Sequence, residues 1–128
     1  MMKTYLRMFL EAICLSIYYK VNINKRTLNH LLKNSLLDNP KDLIEDNDTS
    51  IIIYRIVSIC SIILKNRCLV NALVYRKMTT RRHIANTLCI GVQRIDGSHS
   101  FHAWVTTNSV SHDSYAQEYN TLFTINNY

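Results

Sequence analysis

Glycine and proline are almost missing from this chain: its 128 residues include two glycines and one proline. With 48% of residues hydrophobic, that scarcity argues against a disordered chain and against a turn-rich all-β sandwich. Paired C-x-x-C spacing is missing too, since the four cysteines stand apart at 14, 60, 68 and 89. Cys14 and Cys60 fall in apolar helical runs and Cys89 in a strand-like run, where a thiol serves as a small buried hydrophobe. Reduced thiols in a cytoplasmic protein are therefore expected, not a disulfide framework. No acidic residue occurs from Thr49 through Ile95, although Arg55, Lys65, Arg67, Arg76, Lys77, Arg81, Arg82 and Arg94 do, within a chain of net charge +6. This stretch reads as a solvated basic face or, more sharply, as a docking surface for an acidic peptide or partner. Without an aromatic-basic RNA motif or a helix-turn-helix signature, nucleic acid is not an expected partner. No apolar run is long enough to span a bilayer. Glu11 interrupts the first, no small-residue cleavage site follows it, and residues 51–64 contain Arg55. Both read as buried helices of a soluble protein without stable membrane insertion.

What is present favours helices first and strands last. Residues 5–19 are apolar on most faces, as for a helix packed between other elements. Asn24 can cap a second helix carrying Leu28, Leu31, Leu32 and Leu36, which stops before Asp38-Asn39-Pro40. After an acidic loop, Asp48, Thr49 and Ser50 offer caps and a favourable charge for a helix over residues 51–65. Ile51-Ile52-Ile53 would suit a strand, but the spacing Ile53, Val57, Cys60, Leu64 favours a helix. A buried helix follows from Cys68 to Tyr75, ending in the polar stretch Thr79-Thr80-Arg81-Arg82. The pattern then changes to period two: a strand over 87–93, a turn at Asp96-Gly97, a partner strand over 101–106, a third from Val110 and a fourth over 122–125. The predicted fold class is α+β, a single domain over 1–128. Residues 1–65 form its helical part, and 66–128 supply one more helix and a small antiparallel sheet.

Cys68, His102 and Asp113 are the ingredients of a thiol nucleophile, its general base and the base's orienter. At a helix start, unpaired backbone N–H groups and the helix dipole favour a thiolate, and Arg67 acts in the same direction. A backbone N–H there can also stabilise an oxyanion. His102 alternates with apolar neighbours, so His102 and Trp104 share one strand face while Phe101, Ala103 and Val105 share the other. Such a histidine is either a satisfied core residue or a shielded base, and Trp104 beside it is a candidate substrate-binding residue. If Thr107-Asn108 forms the next two-residue loop, Thr106 pairs with Ser109 and His102 falls opposite Asp113. A loop at Asn108-Ser109 puts Tyr115 there instead. His99 reads as exposed in the hairpin connection, His112 as pointing away from Asp113, and His30 and His83 as lying on or near helices without partners. A zinc set drawn from Cys68, His99, His102 and His112 lacks the usual ligand spacing, so no metal or other cofactor is expected.

Cys68-Leu69 with Ala72-Leu73, then Cys89-Ile90-Gly91-Val92, then His102-Ala103-Trp104-Val105 before an aspartate resembles the leader peptidases of lasso peptide biosynthesis. These form the peptidase half of the split B machinery, with a transglutaminase-like fold related to papain-type proteases. The likeness covers nearly the whole chain and is most specific over residues 68–113. It implies a bacterial, cytoplasmic cysteine peptidase that removes the leader from a ribosomally made precursor before an ATP-dependent cyclase closes the macrolactam. A separate leader-binding protein would deliver the precursor. By motif, Cys68 is the nucleophile, His102 the base and Asp113 the orienter. The family usually has a glycine near His83, Glu where this chain has Thr106, and glycine where Asn108 stands. The rival readings are transglutaminase or deamidase chemistry on the same triad, and a catalytically silent scaffold that binds a peptide or partner.

Overall fold

The computed structural model describes residues 2–22, 47–107, 110–111 and 119–126. The architecture is α+β: α1 (Met2–Asn22), α2 (Asn47–Leu64) and α3 (Cys68–Arg81) precede β1 (Thr87–Ile95), β2 (Ser98–Thr107), β3 (Val110–Ser111) and β4 (Asn120–Asn126). The strands form one antiparallel sheet in the order β3-β2-β1-β4. The helix expected after Asn24 lies outside the described residues.

In α1, Met8, Ala12, Leu15 and Tyr19 are buried at alternating spacings of four and three, which puts them on one face. Leu6, Leu10, Ile17 and Val21 are exposed, so among the described residues this helix is covered on one side rather than packed all round. Cys14 shares the open side and is an exposed thiol, contrary to its expected burial. Helix α2 buries Ile53, Val57 and Cys60 at the expected spacing. It starts earlier than predicted. Asp48 therefore sits inside the first turn, where the helix dipole favours its charge, and Ser50 is buried within the helix rather than capping it.

Helix α3 is central. It packs against α1, α2 and the sheet, and nine of its fourteen residues are buried, including Arg76, Thr79 and Thr80 in its polar half. Such a helix has no polar stripe to display. Ala103 and Val105 of β2 and Leu88 of β1 close the core from the sheet side.

Of the eight basic residues in the acid-free stretch, Arg55, Lys65, Arg67, Arg81 and Arg94 are exposed, as a solvated face requires, and only Arg76 is buried. Arg76 is fully buried and donates from Nη1 to the Ile125 carbonyl of β4 at 2.5 Å. Burial pushes its pKa down to about 10, with Tyr19 acting in the opposite direction. Arg81 and Arg82 hold Glu11 of α1 at 3.0 and 2.8 Å. Burial raises the Glu11 pKa, but the hydrogen bonds from Arg82 and Arg81 outweigh it and the net shift is downward. A carboxylate with a depressed folded-state pKa stabilises the fold above its ordinary value near 4.5, and that contribution fades as pH falls through the folded value. The wild-type stability advantage over Glu11→Gln, about 1 kcal/mol in urea melts at neutral pH, should therefore vanish in acid below this range. An advantage that grew in acid would contradict the pairing.

With so few glycines, the chain turns out of its helices on other residues. Lys65 (φ 53°) and His83 (φ 59°) both occupy the left-handed region. After α3, His83 N–H donates to Thr80 O and Ile84 N–H to Thr79 O, each at 3.0 Å, forming a Schellman ending. His83 thus stands where glycine carries no Cβ penalty, close to where the resembled family has its glycine. His83→Gly should raise stability by about 1 kcal/mol, read as an upward shift of the urea midpoint. A downward shift would show that the imidazole makes a compensating contact. The tight turn at Asp96 (φ 49°) and Gly97 (φ 81°) joins β1 to β2 as expected. His99 lies on β2, paired with Arg94, not in the connection, although it is exposed as predicted.

Candidate active site

Cys68 owes its position to a three-residue corner between two helices. Lys65 ends α2 in the left-handed region, and Arg67 (φ −76°, ψ 160°) is extended before α3 begins. Helix α1 clamps this corner: Lys20 Nζ donates to Leu64 O at 2.6 Å, and Asn66 Nδ2 to Ser16 Oγ at 3.1 Å. The first α-helical bond of α3 runs from Asn71 N–H to Arg67 O at 3.0 Å, and no Arg67 side-chain cap reaches the first turn. The N–H groups of that turn are therefore left without a side-chain cap beside the Cys68 thiol, which is partly buried.

A pocket beside this corner is lined by both Cys68 and His102. Tyr54, Val57 and Ser58 of α2, Cys68, Asn71, Ala72 and Tyr75 of α3, and the β2 segment from His102 to Val105 line this small pocket of about 90 Å³, which opens to solvent. None of these lining residues is Lys, Arg, Asp or Glu. Asn71, one turn after Cys68, is fixed by its Nδ2 hydrogen bond to Ser61 Oγ at 2.7 Å. Burial raises the Tyr75 pKa, partly offset by the hydroxyls of Thr107 and Ser50, so the phenol stays protonated near neutrality. Among the described residues, no three His, Cys, Asp or Glu side chains gather as a metal-ligand set.

His102 is partly buried and stacks on Trp104, with ring centroids 5.8 Å apart and planes 21° apart. This agrees with the shared face expected from alternation. Trp104 is buried and lines the pocket. Tyr119, which sequence reasoning missed, and Gly91, read there only as part of a strand motif, complete the surroundings. Tyr119, just before β4, stacks on His102 at 5.0 Å and 28°. Gly91 is the cross-strand partner of His102, and a Cβ there would meet Trp104 Cζ3 and Cη2 at 2.7 Å. A glycine inside a strand is itself a signal of a bulge or a close approach, and Gly91 has both, because the β1–β4 register shifts between Ile90 and Gly91.

The hairpin register differs from the arrangement that placed Asp113 opposite His102. Thr106 pairs with Ser111 and Thr107 with Val110, as for a loop at Asn108-Ser109. Asp113 lies outside the described residues, as do His30 and His112. The remaining thiols separate clearly. Cys60 and Cys89 are buried, and burial pushes both pKa values up, with a hydrogen bond from Thr106 opposing the shift at Cys89.

A family model described as the transglutaminase-like superfamily matches residues 14–125. No curated protein and no solved structure matches the chain. Among the described residues, no helix is long and apolar enough to cross a membrane.

Proposed function

Because the chain belongs to the transglutaminase-like superfamily, which includes cysteine peptidases and acyltransferases, we propose that it is a cysteine peptidase using Cys68 as nucleophile, His102 as base and Asp113 as orienter. The observation that carries this reading is that Cys68, at an uncapped helix start, and His102 line one pocket. His102 takes the Sγ proton and the thiolate attacks the peptide carbonyl. First-turn N–H groups of α3 receive the oxyanion. Collapse of the intermediate expels the amine, which takes its proton from His102, and water then releases the acyl group. The register seen at Thr106 and Thr107 moves the pairing by two positions from the first expectation.

The substrate we propose is the precursor of a lasso peptide, cut between leader and core before an ATP-dependent cyclase closes the macrolactam. A separate leader-binding protein would deliver it within a bacterial cytoplasm. An uncharged pocket wall suits an uncharged residue beside the scissile bond, and Trp104 is the proposed substrate contact. Incubating the chain with the precursor encoded beside it, with and without the binding protein, and weighing the products should reveal free leader and core. Intact precursor under all conditions would defeat the reading. Acyl transfer on the same residues is favoured by the family match alone, and an amine adduct of the precursor would identify it. Alkylation gives a simpler check. Near neutral pH Cys68 should outpace Cys14, which is exposed but not at a helix start, while Cys60 and Cys89 lag behind. Equal rates at Cys68 and Cys14 would speak for a silent scaffold.

A further inference from the structure

Three aromatic rings meet above the one residue of β1 that has no side chain. Trp104 reaches over Gly91, whose added Cβ would also lie 3.0 Å from Tyr119 Cβ. The His102 imidazole is near-parallel to both neighbours, with centroids 5.0 Å from Tyr119 and 5.8 Å from Trp104. These separations lie in the attractive range for stacked rings. Trp104 is two residues along the same strand, so its nearness follows from β2 itself. Tyr119 enters across β1, from the start of β4, where it also packs on Cys89 and Trp104.

We propose that Tyr119 is a positioning residue for His102, holding the imidazole plane by stacking so that its nitrogen is presented to Cys68. Histidine χ2 is broad and roughly two-fold. With Tyr119 gone only Trp104 flanks the ring, and the opened face gives the imidazole room for orientations that turn the nitrogens away from the thiol. The stack needs the aromatic face and not the hydroxyl, so phenylalanine should serve and leucine should not. The inference rests on the reading of Cys68 and His102 as nucleophile and base.

Site-resolved alkylation by iodoacetamide tests it, with Cys14 as the internal reference for general accessibility. Tyr119→Leu should slow Cys68 relative to Cys14 by about threefold to tenfold, and Tyr119→Phe should restore the wild-type ratio. Rescue by phenylalanine separates ring positioning from a loss specific to the phenol. If His102→Ala slows Cys68 but Tyr119→Leu leaves it unchanged, the positioning role is lost and the catalytic reading stands. If neither substitution alters Cys68, both are lost. Should the leucine variant fail to fold, Tyr119→His, which keeps a flat ring, should hold the Cys68 ratio at the wild-type value, a drop overturning the proposal, and the wild-type protein tests the stack itself. In proton NMR the ring C–H resonances of His102 should lie upfield of those of exposed His99, and coincidence of the two sets would overturn the stack.

Discussion

Cys68→Ala is expected to lower precursor cleavage by at least about a thousandfold while leaving the fold intact. The thiol is partly buried at the first position of α3, at the margin of the core that Leu73, Val74 and Met78 fill. Truncation there should cost only about 1 kcal/mol in stability, because one small atom leaves a site that opens onto the pocket. His102→Ala should have a similar effect on cleavage, and the double variant should be no worse than either single one. Groups that act as a unit are not additive. Three rates measured on folded protein, checked by thermal melts, decide the matter. Full activity in Cys68→Ala would leave only a scaffold, and multiplicative losses would place His102 outside the nucleophile's proton path.

Gly91→Ala should be costly to the fold as well as to the site. Its Cβ would approach two carbons of the Trp104 ring at 2.7 Å, closer than such contacts allow, and Trp104 is only 7% exposed, with Cys89 and Tyr119 packed around it. Overpacking of this kind costs about 2 kcal/mol, which for a domain of this size corresponds to a Tm lower by about 5–10 °C. Displacing Trp104 also disturbs the imidazole stacked on it, so Cys68 alkylation should slow in the same variant. An unchanged melting curve with unchanged near-ultraviolet circular dichroism would show that the ring has somewhere else to go.

Much of the architecture was legible because its signals are local. Period-two alternation located the first two strands, and Asp96-Gly97 carries the backbone freedom that its turn uses. The start of α3 at Cys68 followed from the break at Asn66-Arg67. The second hairpin was not legible. Thr107, Asn108 and Ser109 provide two equally polar two-residue loops and no glycine to choose between them, and the structure pairs Thr107 with Val110. The exposure of Cys14 was hidden because α1 is apolar nearly all round, so periodicity does not identify its covered side. Arg76 was grouped with its basic neighbours because a charge count treats every arginine alike. Only the layering of α1, the sheet and α3 shows that this one lies inside. Tyr119 had no local mark at all, because its place beside His102 depends on β4 returning to pair with β1.

The Arg76 contact has a mechanical consequence. β4 is an edge strand, with Thr121, Leu122 and Thr124 facing solvent, yet its far end is fastened by a guanidinium rooted in the central helix. Fraying of such a strand should be one-sided, peeling from Asn120 towards Ile125. The end expected to open adjoins Tyr119, so its opening should also loosen the packing around the imidazole.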